Sequence, residues 1–208
     1  MVNEKGNKRF WDRYSKFYDW EIKRLSGKAY QKMYDYMSEV FTKDMKVLEV
    51  ATGTGLIALN IARYVSQIEA IDFSAKMIEV AQKKRYSNNV KFSVEDATQL
   101  SFENETFDAV IISNALHIMP NPELVLANIK RVLKPNGILI APTYSHGHLK
   151  EKSWNLSVSL LKFIGFETYA KWTPEEFVNF INGNGFMVTN WKLLPAAFPL
   201  VYLEAKRR

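Results

Sequence analysis

The stretch Glu49-Val50-Ala51-Thr52-Gly53-Thr54-Gly55, continued by Leu56-Ile57-Ala58, sets small residues between two apolar runs. Glycines two apart let a backbone pass close to a ligand. With Ala58 in the third small position, the loop also satisfies the loose dinucleotide-binding pattern. Two acids follow at telling intervals. Asp72 lies 19 residues after Gly53, the spacing at which an acid accepts from the two hydroxyls of a ribose. It would serve equally to cap a helix starting near Ser74. Asp96 precedes Ala97. A carboxylate there can accept from an adenine amine while a neighbouring backbone N–H donates to the ring, and it also suits a plain turn.

Glu49 separates the two cofactors that these features share. A carboxylate beside the loop repels a pyrophosphate and favours a ligand carrying ammonium or sulfonium charge. S-adenosylmethionine carries both charges and no phosphate. A nicotinamide oxidoreductase is further disfavoured because no Tyr-x-x-x-Lys pair falls on a helix. Among possible bases, His117 in Ser113-Asn114-Ala115-Leu116-His117 stands near the mouth of such a site, with a default pKa near neutrality. It could equally pack against the pocket or cap the loop. His146 and His148, separated by one glycine and lacking an acidic neighbour, make a poor metal pair. No metal site is expected. The chain has no cysteine, which excludes thiolate ligands and nucleophiles.

These residues need elements to hold them. Between Lys46 and Tyr144, β-rich apolar runs (46–51, 68–73, 90–95, 107–113, 137–144) alternate with amphipathic stretches. Near-continuous Val, Ile and Leu implies strands covered on both faces, and strand–helix repetition gives a doubly wound, mostly parallel α/β sheet. Helical patterns cover Leu56–Val65, Ser74–Lys84 and Pro122–Leu133, the last stopped by Lys134-Pro135-Asn136-Gly137. Residues 8–41 read as helix, with an aromatic cluster from Phe10 to Trp20 that fits a lid over the crevice. The same cluster would equally suit packing onto the domain. Thr173-Pro174-Glu175-Glu176 opens a late helix, and runs 186–194 and 198–206 face each other as an antiparallel pair closing one sheet edge. A single domain is expected over 1–208: a helical lid and substrate region at 1–45, a cofactor-binding core at 46–144, a helical insertion at 145–172, and a helix with a strand pair at 173–208.

The segment VLEVATGTG…AIDFSAKMIEVAQ…FSVEDATQLSFENETFDAVIISNALHIMPNPELVLANIKRVLKPNGILI resembles the class I SAM-dependent methyltransferases. Within them it is similar to the group holding quinone-biosynthesis C-methyltransferases and bacterial phospholipid N-methyltransferases. The resemblance implies a Rossmann-like seven-stranded sheet with the last strand antiparallel. It implies that Glu49, Ala51, Gly53 and Gly55 line the methionine part of the cofactor. Asp72 would bind the ribose, Phe73 lie against the adenine with Met77 nearby, and Asp96 and Ala97 hold the adenine edge. Ser113 and Asn114 would face the methyl group and the substrate entrance. Tyr18-Asp19 matches a lid pair found in relatives, with Tyr14 one turn earlier. The pattern departs from the family at Ala51, where most members carry glycine.

The formal charge of +6 is uneven: residues 1–46 hold 11 Lys/Arg against 7 Asp/Glu, while residues 47–145 are near neutral. The basic N-terminus and its aromatics fit contact with a lipid surface. The tetrapeptide typical of amino-methylating enzymes on nucleic acid is absent, with Ser113–Leu116 in its place, so no nucleic-acid partner is expected. The N-terminus has no apolar h-region, and the chain reads as cytoplasmic, a monomer or homodimer. The expected reaction moves a methyl group from S-adenosyl-L-methionine to an O, N or C atom of a small-molecule or lipid acceptor, leaving S-adenosyl-L-homocysteine. A SAM-binding protein without transferase activity is the alternative from another class.

Overall fold

The computed structural model describes residues 4–84, 87–146, 167–197 and 199–208. The expected helical insertion falls largely outside them. A mixed sheet runs through the molecule in the order β3–β2–β1–β4–β5–β8, with β7 paired to the outer side of β8. Its parallel strands are β1 (Lys46–Val50), β2 (Gln67–Asp72), β3 (Val90–Val94), β4 (Phe107–Ile112) and β5 (Leu133–Ile140). Val47, Leu48 and Val50 of β1 are all fully buried, as strands covered on both faces require.

The C-terminal runs form the expected antiparallel pair, β7 (Phe186–Leu194) and β8 (Leu200–Arg207), and β8 also runs antiparallel to β5. A short strand, β6 (Thr143–Tyr144), pairs with β8 on the same side as β5 and continues its line. The break has a local cause: Pro142 lacks an N–H, so the ladder stops after Ala141 donates to Leu203 and resumes at Thr143. Seven strand positions thus carry eight strands. The predicted stop at Lys134–Gly137 lies inside β5, as a register shift against β4 with Asn136 at φ 64.

Side chains alternate between two cores, one per face. Val47 and Ile111 join Ile57, Ile61, Met33 and Met37 on one side. Leu48, Val50 and Val110 join Val125, Leu126, Ile129, Phe177 and Ile181 on the other. The first core is covered by α1 (Glu4–Val40), α2 (Leu56–Ile61) and α3 (Ala75–Gln82), the second by α4 (Pro122–Val132) and α5 (Pro174–Gly183). The N-terminal segment is one helix of 37 residues, about 55 Å long at 1.5 Å per residue. Ser74 caps α3 by accepting from the Met77 amide, and Thr173 opens α5 with a full capping box.

Candidate active site

The chain leaves β3 at the sheet edge and returns as β4 beside β1, so the strand order reverses between β1 and β4. Ligands of open α/β sheets bind beyond the carboxyl ends of the strands at such a point. A cleft opens there, with about 1060 Å³ of empty space including its mouth. Each strand end contributes to it. Ala51 and Gly53 follow β1, Asp72 and Phe73 close β2, Asp96 and Ala97 follow β3, and Ser113 and Asn114 follow β4. Met77 enters from α3, and Tyr18 reaches in from α1.

The glycine loop is stitched to the neighbouring strand. Thr52 donates its amide to the Ile71 carbonyl at 2.9 Å, and Gly53 donates to Asp72 Oδ2 at 2.8 Å. Asp72 Oδ1 accepts from the Ser74 amide at 2.9 Å. Each carboxylate oxygen has a second lone pair, so these bonds leave acceptor capacity in the cleft. Burial, opposed by those two amides, pushes the Asp72 carboxyl up to about 6. Gly53, Gly55 and Ala51 all have positive φ, at 56, 77 and 56°. A Cβ on Gly55 would meet the Phe92 ring at 2.7 Å, whereas one on Gly53 would find Tyr18 Cε1 at 3.8 Å as its nearest contact. Gly55 is small for packing, and Gly53 is the one whose missing side chain faces the cleft.

Glu49 does not line the cleft. It is buried behind the loop, where Oε2 accepts from Thr52 Oγ1 at 2.7 Å and from the Ala58 amide at 2.9 Å. Gly55, the N-cap of α2, has no side chain to cap it, and the Glu49 carboxylate does that work instead. The N-terminus of α2 is where a dinucleotide pyrophosphate would dock. Here the protein's own carboxylate occupies it. Burial is the main cause that pushes the Glu49 carboxyl up to about 8, and Asp72 adds to it.

Residues 48–141 match the methyltransferase domain family. The chain is similar over that segment, a little under half of its length, to methyltransferase domains. It is 39% identical over 101 residues to a demethylmenaquinone methyltransferase of Renibacterium salmoninarum, across 49% of this chain. The match spans only 42% of that relative's length. The fold is shared more widely. A chain solved in complex with the Haloferax volcanii Trm112 methyltransferase activator superposes with a TM-score of 0.77 at 16% identity, covering 95% of this chain and 97% of that one. A SAM-dependent methyltransferase of Thermotoga maritima gives 0.74 at 18% identity, covering 96% and 99%.

Several expected residues sit elsewhere than the cleft wall. Gly55 is buried behind it, and Tyr14 stacks on Phe10 with centroids 5.2 Å apart. His117, expected at the site mouth, is buried instead: a 3₁₀ turn (Leu116–Ile118) folds it inward, with Nδ1 3.2 Å from Thr143 Oγ1. Burial, then the nearby His146, lowers its pKa to about 4. His148 lies outside the described residues. Asp96 makes the turn that its type suggested, with Oδ1 accepting from both the amide and the hydroxyl of Thr98 at 2.8 Å.

Other contributors had no motif. Trp11, Ile71, Met119, Val125 and Tyr169 complete the wall. Tyr30 accepts from Asn114 Nδ2 at 3.0 Å and bonds to Tyr18, so α1 braces the end of β4. Burial holds the Tyr18, Tyr30 and Tyr144 phenols above their ordinary range, and they stay neutral donors. Ser113 Oγ and Asn114 Oδ1 are buried without a hydrogen-bond partner among the described residues. The spacing Tyr30, Met33, Met37 is that of one helical stripe and could have placed Tyr30 on the buried face.

Proposed function

We propose that this chain transfers a methyl group from S-adenosylmethionine to an O, N or C atom of a small-molecule or lipid acceptor by in-line displacement. The observation that carries the reading is the pair of buried carboxylates about the glycine loop, Asp72 in the cleft and Glu49 beneath it. Asp72 in the cleft favours a cationic ligand, and Glu49 fills the α2 N-terminus that a pyrophosphate would need. Asp72 would accept from the ribose hydroxyls, with Phe73, Asp96 and Ala97 around the adenine. Gly53 and Ala51 would lie along the methionine part.

When bound, the cofactor supplies a methyl group already activated by its sulfonium. The chain's own task is then alignment and exclusion of water. Tyr18 and Trp11 cover the cleft from α1. Ser113 and Asn114 stand at the acceptor end, where a donor on the ligand would satisfy oxygens that cost about 1–3 kcal/mol each while unpaired. His117 is too deeply placed to take a proton from an acceptor, so the reading uses no histidine base. The likeness to demethylmenaquinone methyltransferases supports a small-molecule or lipid acceptor.

Calorimetric titration with S-adenosylhomocysteine, and separately with NAD, tests the reading. Saturable binding of the first alone is expected, weakened at least tenfold by Asp72→Ala through loss of charged hydrogen bonds, about 1.5–3 kcal/mol. Binding of NAD with no response to S-adenosylhomocysteine would overturn it.

A further inference from the structure

The outward face of α1 between Arg9 and Lys28 is unusual in what it omits. Arg9, Arg13, Lys16, Lys23, Arg24 and Lys28 are on the side away from the cores. At 100° per residue, these cations together with Phe17 and Trp20 fall within roughly 140° of arc. All six cations are exposed, as are Phe17 and Trp20. The two aromatics are 65% and 62% exposed in the middle of the charge. Arg24 lies over the Trp20 ring, 5.2 Å from its centroid. None of the six forms an ion pair among the described residues.

The acids of the same stretch are turned away from that face. Asp12 Oδ1 accepts from Ser74 Oγ at 2.6 Å. Asp19 accepts from Thr54 Oγ1 and pairs with Lys84 at 2.5 Å. Glu21 is half-buried. The helix therefore uses its negative charge to fasten itself to the glycine loop and α3, and presents positive charge to the outside.

We infer that this face of α1 docks on an anionic lipid bilayer, with Phe17 and Trp20 entering the headgroup region and the surrounding Lys and Arg meeting lipid phosphates. Charge complementarity selects the occupant. A second copy would set cations against cations. Single-stranded nucleic acid is held in grooves that track its backbone, whereas this is a convex helix face. Exposed aromatics amid Lys and Arg on one helix face match the chemistry of the membrane interface. Trp11 and Tyr18, which line the cleft, lie on the opposite face of the same helix. The inference concerns the outer face of α1 and stands whatever the cleft binds.

The test is co-sedimentation of the full chain with vesicles of equimolar phosphatidylglycerol and phosphatidylcholine, against vesicles of phosphatidylcholine alone. Binding to the anionic vesicles only, reduced by salt, is expected. Lys16→Gln with Lys23→Gln should weaken it about thirtyfold, near fivefold for each cation removed, while Lys16→Arg with Lys23→Arg retains it. Phe17→Ala with Trp20→Ala should also weaken it, with circular dichroism unchanged. Equal partitioning into both vesicle types, no response to either double variant, or capture of an RNA oligonucleotide without vesicle binding would each overturn the proposal.

Discussion

At the scale of single residues, the three positive-φ positions of the loop divide the labour. Gly55 has no room: an added methyl meets the Phe92 ring at 2.7 Å and Ala81 Cβ at 3.3 Å, in a backbone at φ 77°. Gly53 has room on the cleft side. Ala51 shows that a methyl is tolerated at φ 56° one turn of chain earlier, at a cost of about 1–2 kcal/mol for the left-handed conformation. Gly55→Ala should therefore lower stability by about 2–4 kcal/mol, strain and overpacking together. Gly53→Ala should cost only about 1 kcal/mol in urea unfolding, and its larger effect should be on S-adenosylhomocysteine affinity. Equal stability losses with unchanged affinity for both would show that neither glycine faces a ligand.

At the scale of elements, α1 is coupled to the loop by polar contacts and to the first core by its second half. Met33 and Met37 are fully buried, while the half that carries Asp12 and Asp19 touches the loop through side chains that are partly exposed. Such pairs contribute only about 0–1 kcal/mol each, so Asp12→Asn with Asp19→Asn should leave global unfolding within roughly 1 kcal/mol of the parent. Amide exchange in residues 8–24 should nevertheless quicken, because that part of the helix loses its fastening. Unchanged exchange there would mean that aromatic packing alone holds it. The sequence made the sheet legible because continuous apolar runs have one physical solution, and it placed Asp72, Asp96 and Asn114 because strand ends lead to the cleft. Contacts between distant segments carried no local signal. Asn114 meets Tyr30 across 84 positions of chain, and His117 is drawn inward by Thr143, 26 residues later. The place of Glu49 was hidden for a related reason: period-two alternation puts it on a buried face, but only the fold shows that the open end of α2 lies there to be capped.

At the scale of the whole molecule, these buried groups govern how stability varies with pH. The folded state raises Glu49 from 4.5 to about 8 and Asp72 from 3.8 to about 6, both chiefly by burial. Between the unfolded and folded values, the native state holds a proton that the unfolded chain has released, so stability falls as pH rises. His117 acts with the opposite sign. Its folded value of about 4 lies below the ordinary 6.5, so stability rises with pH through that interval, and His146 is shifted the same way. Below pH 6.5 these contributions oppose one another. Between 6.5 and about 8 the titration of Glu49 dominates, with a slope of at most about 1.4 kcal/mol per pH unit. The melting temperature should therefore decline from pH 6.5 to 8, and Glu49→Gln, which keeps an amide oxygen for Thr52 and the Ala58 N–H, should flatten the decline. A ligand bearing an ammonium beside the loop would favour the ionised carboxylate, so the loss should shrink when S-adenosylhomocysteine is present. A melting temperature that rises across this interval, or a slope that survives Glu49→Gln, would place the proton elsewhere and remove the buried carboxylate from the account of cofactor choice.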